Sequence, residues 1–189
     1  MSEGSTRVEA GTLLVATPLL LDPNFDHTVV LMLDVDENGA LGVVLNRPST
    51  VSVTEILPEW AGLGIGPDML FAGGPVGTDS ALAVASLPDG IDEPVGFRRL
   101  YDDVGIVDLD TPTEVVGPAL SGLRIFAGYA GWGEQQLIDE IRTGSWYVVP
   151  SAPGDVFGTD PGGLWMRVLR RQPGELAWVS TRPMDPTLN

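Results

Sequence analysis

The sequence predicts one domain built from many short strands and a few short helices. Three observations lead there. Of the 189 residues, 56 are Leu, Ile, Val or Phe. That fraction is well above the roughly 20% below which chains tend to stay disordered, so one sizeable core can form. The 24 glycines and 16 prolines interrupt the chain too often for long helices. The apolar runs are short and bounded by Gly, Pro, Asn or Asp, as strands are.

Each element has its own local justification. Residues 1–10 are polar and aperiodic and are expected to form a flexible tail, leaving 11–189 as the single domain. Thr-Leu-Leu-Val-Ala at 12–16 is a strand candidate, ended by Pro18. Residues 28–33, Thr-Val-Val-Leu-Met-Leu, form a stronger one. Their hairpin partner is 41–45, because Asn38-Gly39 between them is a tight-turn signal. A short helix is expected over 54–60, broken at Pro58. Further strands are expected at 69–72, 81–86, 105–109 and 123–128. Residues 133–142 make the best helix: Leu137, Ile138 and Ile141 share a face, Arg142 lies in the last turn and Gly144 follows. Strand character resumes at 146–149. A second helix is expected over 163–171, stopped by Pro173, and a last strand over 176–180.

Composition restricts the chemistry. There is no Cys, no Lys and one His, and ten Arg stand against 26 acidic residues for a formal net charge of −16. No thiol nucleophile or ligand, no Schiff-base lysine and no pair of imidazoles is on offer. Excess negative charge opposes both nucleic-acid phosphates and an anionic membrane surface. Direct DNA binding is therefore disfavoured. The N-terminus lacks the basic region of a secretory signal, and no apolar run is long enough to span a bilayer. A cytoplasmic location without membrane attachment is expected.

The motifs are partial. Asp34-x-Asp36-x-Asn38-Gly39 matches half of a calcium loop, but the twelfth position is Leu45 instead of Glu, and the flanks read as β. An acidic hairpin tip is the simpler account. Gly128-Tyr-Ala-Gly-Trp-Gly133 lies between a predicted strand and helix, as a phosphate loop would. Its spacing is wrong for one, and Glu134 puts negative charge where a phosphate would sit. The glycines are expected to form a tight turn. His27 lacks partner spacing for a transition-metal site, and neither H-E-x-x-H nor G-x-S-x-G is present. Asp102, Asp103, Asp108 and Asp110 are close in sequence, which keeps carboxylate chemistry open. No cofactor, metal ligand or catalytic residue is assigned.

The order of segments resembles the YqgE/AlgH family, a bacterial group often labelled as transcriptional regulators. The matching stretches are Gly11-Thr-Leu-Leu-Val-Ala16, Asp22-Pro-Asn-Phe25 with Thr28-Val-Val30, and Gly39-Ala-Leu-Gly-Val-Val-Leu-Asn-Arg-Pro48. They continue with Gly73-Gly-Pro-Val76, Tyr129-Ala-Gly-Trp132, Gln136-Leu137, Glu140-Ile141 and Trp146. The ending Leu164-Trp165 with Val168-Leu-Arg-Arg-Gln-Pro173 is closest to actinobacterial members. The resemblance covers about residues 11–183. It implies an α+β fold whose bifurcated, mainly antiparallel sheet curls into a pseudo-barrel flanked by a few short helices. It brings no catalytic residues. The chain departs from the family where members often carry an Arg pair, a Glu-His pair and a further His; here those places hold Asp26-His27, Asp34-Val35 and Ala85.

The expected role is a non-enzymatic module that binds a protein or small ligand, with a regulatory outcome. The alternatives are a direct transcriptional regulator, which needs a basic face, and a carboxylate-dependent hydrolase, which needs converging carboxylates. The expected binding surface lies where the glycine-rich turns meet, at Asn46, Arg47, Gly73, Gly74, Tyr129 and Trp132. Glycine allows close approach of backbone, Trp and Tyr offer contact area, and Arg47 can take a carboxylate.

Overall fold

The Asn38-Gly39 signal produces the expected hairpin: β2 (Val29–Asp36) and β3 (Gly39–Val44) pair antiparallel, with Asp36 opposite Gly39. The computed structural model describes residues 7–64 and 66–181. Its other strands are β1 (Thr12–Ala16), β4 (Phe71–Ala72), β5 (Val76–Ser86), β6 (Phe97–Tyr101), β7 (Val104–Val107), β8 (Gly122–Gly133) and β9 (Trp146–Pro150). The helices are short: α1 (Val53–Ile56), α2 (Thr113–Val116), α3 (Gln136–Arg142), α4 (Leu164–Arg170) and α5 (Glu175–Val179). Two 3₁₀ turns, Pro58–Trp60 and Gly117–Ala119, follow α1 and α2. Pro58 ends α1 as its missing N–H requires, and opens the 3₁₀ turn. Of the expected tail, residues 1–6 lie outside the described residues. Val8 packs against the core, and Glu9 and Thr12 exchange hydrogen bonds.

Strand order is β6-β7-β5-β8-β3-β2-β1-β9, with β4 paired to β8 off this path. All these pairings are antiparallel except β4 with β8. β8 is the hinge of the architecture. Its first half, residues 122–127, pairs with β5 on one side. On its other side it meets β4 at Phe126 and Ala127, then β3 from Ala130 to Gly133. The sheet forks where β4 wedges between β3 and β8. It also curls: the Tyr101 ring at the end of β6 lies against Gly11, just before β1. The result is a single α+β domain with a half-barrel of curled, mainly antiparallel sheet and a few short helices.

Both faces of the central strands are buried, and residue parity assigns the faces. Leu13, Val15, Val29, Leu31 and Leu33 point into the curl, where Phe71, Phe126 and the apolar stripe of α4 join them. That stripe is Leu164, Trp165, Val168 and Leu169, and the Trp165 indole N–H donates to the Ala16 carbonyl at 2.9 Å. Leu14, Ala16, Val30 and Met32 face outward into a second cluster covered by α3. A third cluster lies under α1, α2 and the 3₁₀ turns, around Trp60, Leu87, Val116 and Leu123. Truncating a fully buried leucine such as Leu31 in this packing costs about 2–5 kcal/mol.

Three sequence expectations are corrected. Residues 176–179 are helical within α5 and Ser180 caps it, instead of forming a strand: Leu176 and Val179, three apart, share the face that packs on the core, while Trp178 stays exposed. Residues 128–133 are not a turn but the second half of β8, because β3 supplies a partner there. Finally, β6 was not anticipated. Its Arg98-Arg99 pair hides an alternation in which Phe97 is buried and Arg98 exposed.

Candidate functional site

A cleft opens at the mouth of the half-barrel. It has a volume of about 300 Å³ and draws side chains from six strands. Leu33, Leu41, Leu82, Leu100 and Ile106 form its apolar wall, and Gly128 and Tyr129 of β8 form its back. A bulge in β2 between Met32 and Asp34 and a larger one in β5 between Val76 and Ala81 open the space. At the rim stand one cation, Arg98, and one carboxylate, Asp34. Neither side chain has an ion pair or hydrogen bond among the described residues. An apolar recess of this size with a few polar groups is the usual form of a small-ligand site.

The residues expected to form the binding surface are distributed as follows. Segments 46–48, 72–74 and 127–130 do run side by side. Ala72 N–H donates to the Arg47 carbonyl, Gly73 N–H to Ala127, and Val44 N–H to Gly73, all at 2.8–2.9 Å. Gly73 and Gly74 have no room for a side chain: a Cβ there would collide with the Gly128 and Tyr129 carbonyls. Asn46 turns back on the preceding loop, accepting from Val29 N–H at 3.0 Å and donating to the His27 carbonyl at 2.8 Å. Arg47 donates to the carbonyls of Pro23, Asn24 and Asp26 at 2.8, 2.6 and 2.9 Å. Tyr129 lines the cleft, but Trp132 is on the opposite face of β8. Three residues along a strand reverse the side, so the two aromatics cannot share a surface. Trp132 is buried beneath α3, against Phe25 and Trp146. Its indole N–H and that of Trp146 both donate to Glu140 Oε2, at 2.9 and 2.8 Å.

The other candidates have local roles. Asp36 Oδ1 accepts from the N–H groups of Asn38 and Gly39, so the half calcium motif is a hairpin-turn device. His27 bonds Asp26 through Nδ1, and its ring packs on Trp165 with centroids 4.7 Å apart. Asp102 and Asp103 line a separate cleft of about 300 Å³, beside Tyr101. Burial, then the charges of Asp102, Asp103 and Asp155, push the Tyr101 phenol upward, against a lowering bond from Ser151. Asp108 caps the turn that carries Asp110. No group of three or more His, Asp or Glu disposed to hold a metal ion exists among the described residues. None of the described helices is long and apolar enough to cross a membrane.

Arg98 and the β5 bulge were missed from sequence. The available signal was Arg98 following Phe97 and sharing a strand face with Leu100 in a short β-compatible run.

Comparison with known proteins bears on the whole chain. A family model described as AlgH-like matches residues 13–177. A UPF0301 protein of Streptomyces coelicolor is 56% identical over 191 residues, covering 98% of this chain and 99% of that protein. A crystal structure of a Corynebacterium diphtheriae protein superposes with a TM-score of 0.88 at 34% identity, covering 93% of both chains. The solution structure of the AlgH protein from Pseudomonas aeruginosa superposes with a TM-score of 0.69 at 25% identity, covering 97% of this chain and 98% of that one.

Proposed function

The chain belongs to the AlgH-like family, and from that premise we propose that it is a non-enzymatic binding module acting through the mouth of its half-barrel. The occupant is a small ligand, or a side chain of a partner protein, with an apolar body and one charged or polar end. One observation carries this: five aliphatic side chains surround a cleft of about 300 Å³ whose rim holds Arg98 and Asp34, both uncommitted to other groups among the described residues. Supporting the non-catalytic part, the cleft contains a single carboxylate and no imidazole, so neither a carboxylate pair nor a histidine relay is assembled there. A regulatory role would then follow from occupancy, without chemistry on the ligand.

The test uses 1-anilinonaphthalene-8-sulfonate, an apolar body with one anionic end. Its binding should be weakened about three- to fivefold by Arg98→Ala, in line with an exposed charge pair. Ala81→Trp, at an exposed position on the cleft wall, should fill the space and abolish it. Both variants should melt like the parent. Unchanged probe affinity in Ala81→Trp would refute the assignment.

A further inference from the structure

We propose that a second cavity, beneath Gly62, Gly64 and residues 66–69, is a site for a small carboxylate held by the Arg124 guanidinium and the Trp60 indole N–H. It is separate from the half-barrel mouth and does not depend on it. The cavity has a volume of about 80 Å³, with Leu123, Met69, Trp60 and Arg124 among its walls. A space of that size limits the occupant to a head group or a very small acid.

Two independent observations point to an acceptor-bearing anion. The first is Arg124. It is 4% exposed in a chain of net charge −16, yet it has no carboxylate partner among the described residues. Its guanidinium donates to the carbonyls of Val156, Gly158 and Gly66 at 2.8, 2.9 and 3.2 Å and lies 4.3 Å from the Phe71 ring centroid. These bonds use three of its five N–H donors and none of its charge. Burial pushes the group down to about 10, which leaves it a cation at neutral pH. Buried cations are ordinarily paired. The second observation is Trp60, 1% exposed, whose indole N–H finds no acceptor among the described residues. Buried donors are almost always satisfied, so an occupant that brings an acceptor gains here.

Asp68 sets the selectivity. It also lines the cavity, with its carboxylate accepting from the Thr54 hydroxyl at 2.6 Å. A dianion would meet that charge, whereas a monoanion can turn its oxygens toward Arg124 and Trp60. A carboxylate is therefore favoured over phosphate.

The experiment is a nitrogen-15 NMR titration of the wild-type chain with acetate, following its five indole N–H signals. A matched sodium chloride series controls for ionic strength, and inorganic phosphate is run separately. One indole signal, the one absent from Trp60→Phe, should move saturably with acetate. Trp60→Phe, followed through the Arg124 Nε–H signal, should weaken acetate binding by about tenfold or more, as loss of a hydrogen bond to a charged group does. N-acetylglycylglycine distinguishes the sources: tighter binding than acetate identifies a peptide end, equal or weaker binding a free small acid. No saturable shift, an equal shift with chloride, or a response to phosphate alone overturns the proposal. Should Trp60→Phe fail to fold, the indole is assigned by through-bond spectroscopy and the wild-type titration decides alone.

Discussion

Arg47 is a buttress in this geometry. Its guanidinium spans three carbonyls of the loop between β1 and β2. That loop carries Phe25, which stacks near Trp132 and Trp146 with ring centroids 6.2 and 5.6 Å away. Asn46 grips the same loop from the neighbouring position. Arg47→Ala is expected to lower stability by about 1–3 kcal/mol, the range for losing charge-assisted hydrogen bonds at a partly exposed site. Amide exchange should rise over residues 22–27. Arg47→Lys should recover only part of the loss, since a compact ammonium cannot reach three carbonyls as a planar fork does. Denaturant melts with hydrogen exchange check this. Wild-type stability in Arg47→Ala, together with loss of a bound partner, would instead return Arg47 to a recognition role.

At the scale of elements, β8 decides the fold. Along one edge it must exchange β4 for β3 within a few residues, and Gly128 lies at that exchange with φ +75°. A Cβ there would lie 2.5 Å from the Gly74 carbonyl oxygen and 2.9 Å from that of Val76. Gly128→Ala should therefore lose more than the about 1–3 kcal/mol that such a backbone conformation alone costs a side chain. It should also distort the cleft wall at Tyr129. Circular dichroism melts and the cleft probe read both effects; a variant that melts like the parent would remove β8 as the hinge. This same segment shows what was legible in the sequence. The β2–β3 hairpin, β1, α3 and α4 each declare themselves through local signals: Asn38-Gly39, a stop at Pro18, an apolar stripe with its C-terminal glycine, a stop at Pro173. The glycines at 128, 131 and 133 carry the local signature of a turn. Only the distant partner β3, far earlier in the chain, makes them strand. Once they are strand, parity alone separates Tyr129 from Trp132. The cleft was illegible for the same reason. Leu33, Leu41, Leu82, Arg98 and Ile106 meet through the curl of the sheet, and no sequence spacing encodes that curl. Arg124 was equally silent, because one arginine in a strand does not reveal that its guanidinium is buried.

For the molecule as a whole, what matters about the arginines is where they stand. Arg124 is buried, and Arg47 is occupied by backbone carbonyls. Arg99 pairs with Glu93 at 3.5 Å, Arg167 with Asp160 at 2.7 Å and Arg171 with Asp155 at 2.6 Å. The densest cluster, Arg167, Arg170 and Arg171 on and after α4, faces an open groove that it shares with Asp155 and Asp160. Arg7, Arg98, Arg142 and Arg170 carry no ion pair among the described residues, and they come from four separate parts of the fold. A DNA-reading surface needs several cations on one face, because each phosphate neutralised contributes through counterion release and the others must not repel. Here the background is a net charge of −16. We therefore expect no discrete complex with duplex DNA at nanomolar protein and physiological salt. The check is a mobility-shift assay on genomic fragments with excess competitor, repeated at low salt. Weak smearing confined to low salt is the expected limit. A sharp, competitor-resistant band, lost on substituting Arg167 and Arg170 together, would show that α4 presents a basic face strong enough to overcome the charge of the rest of the chain.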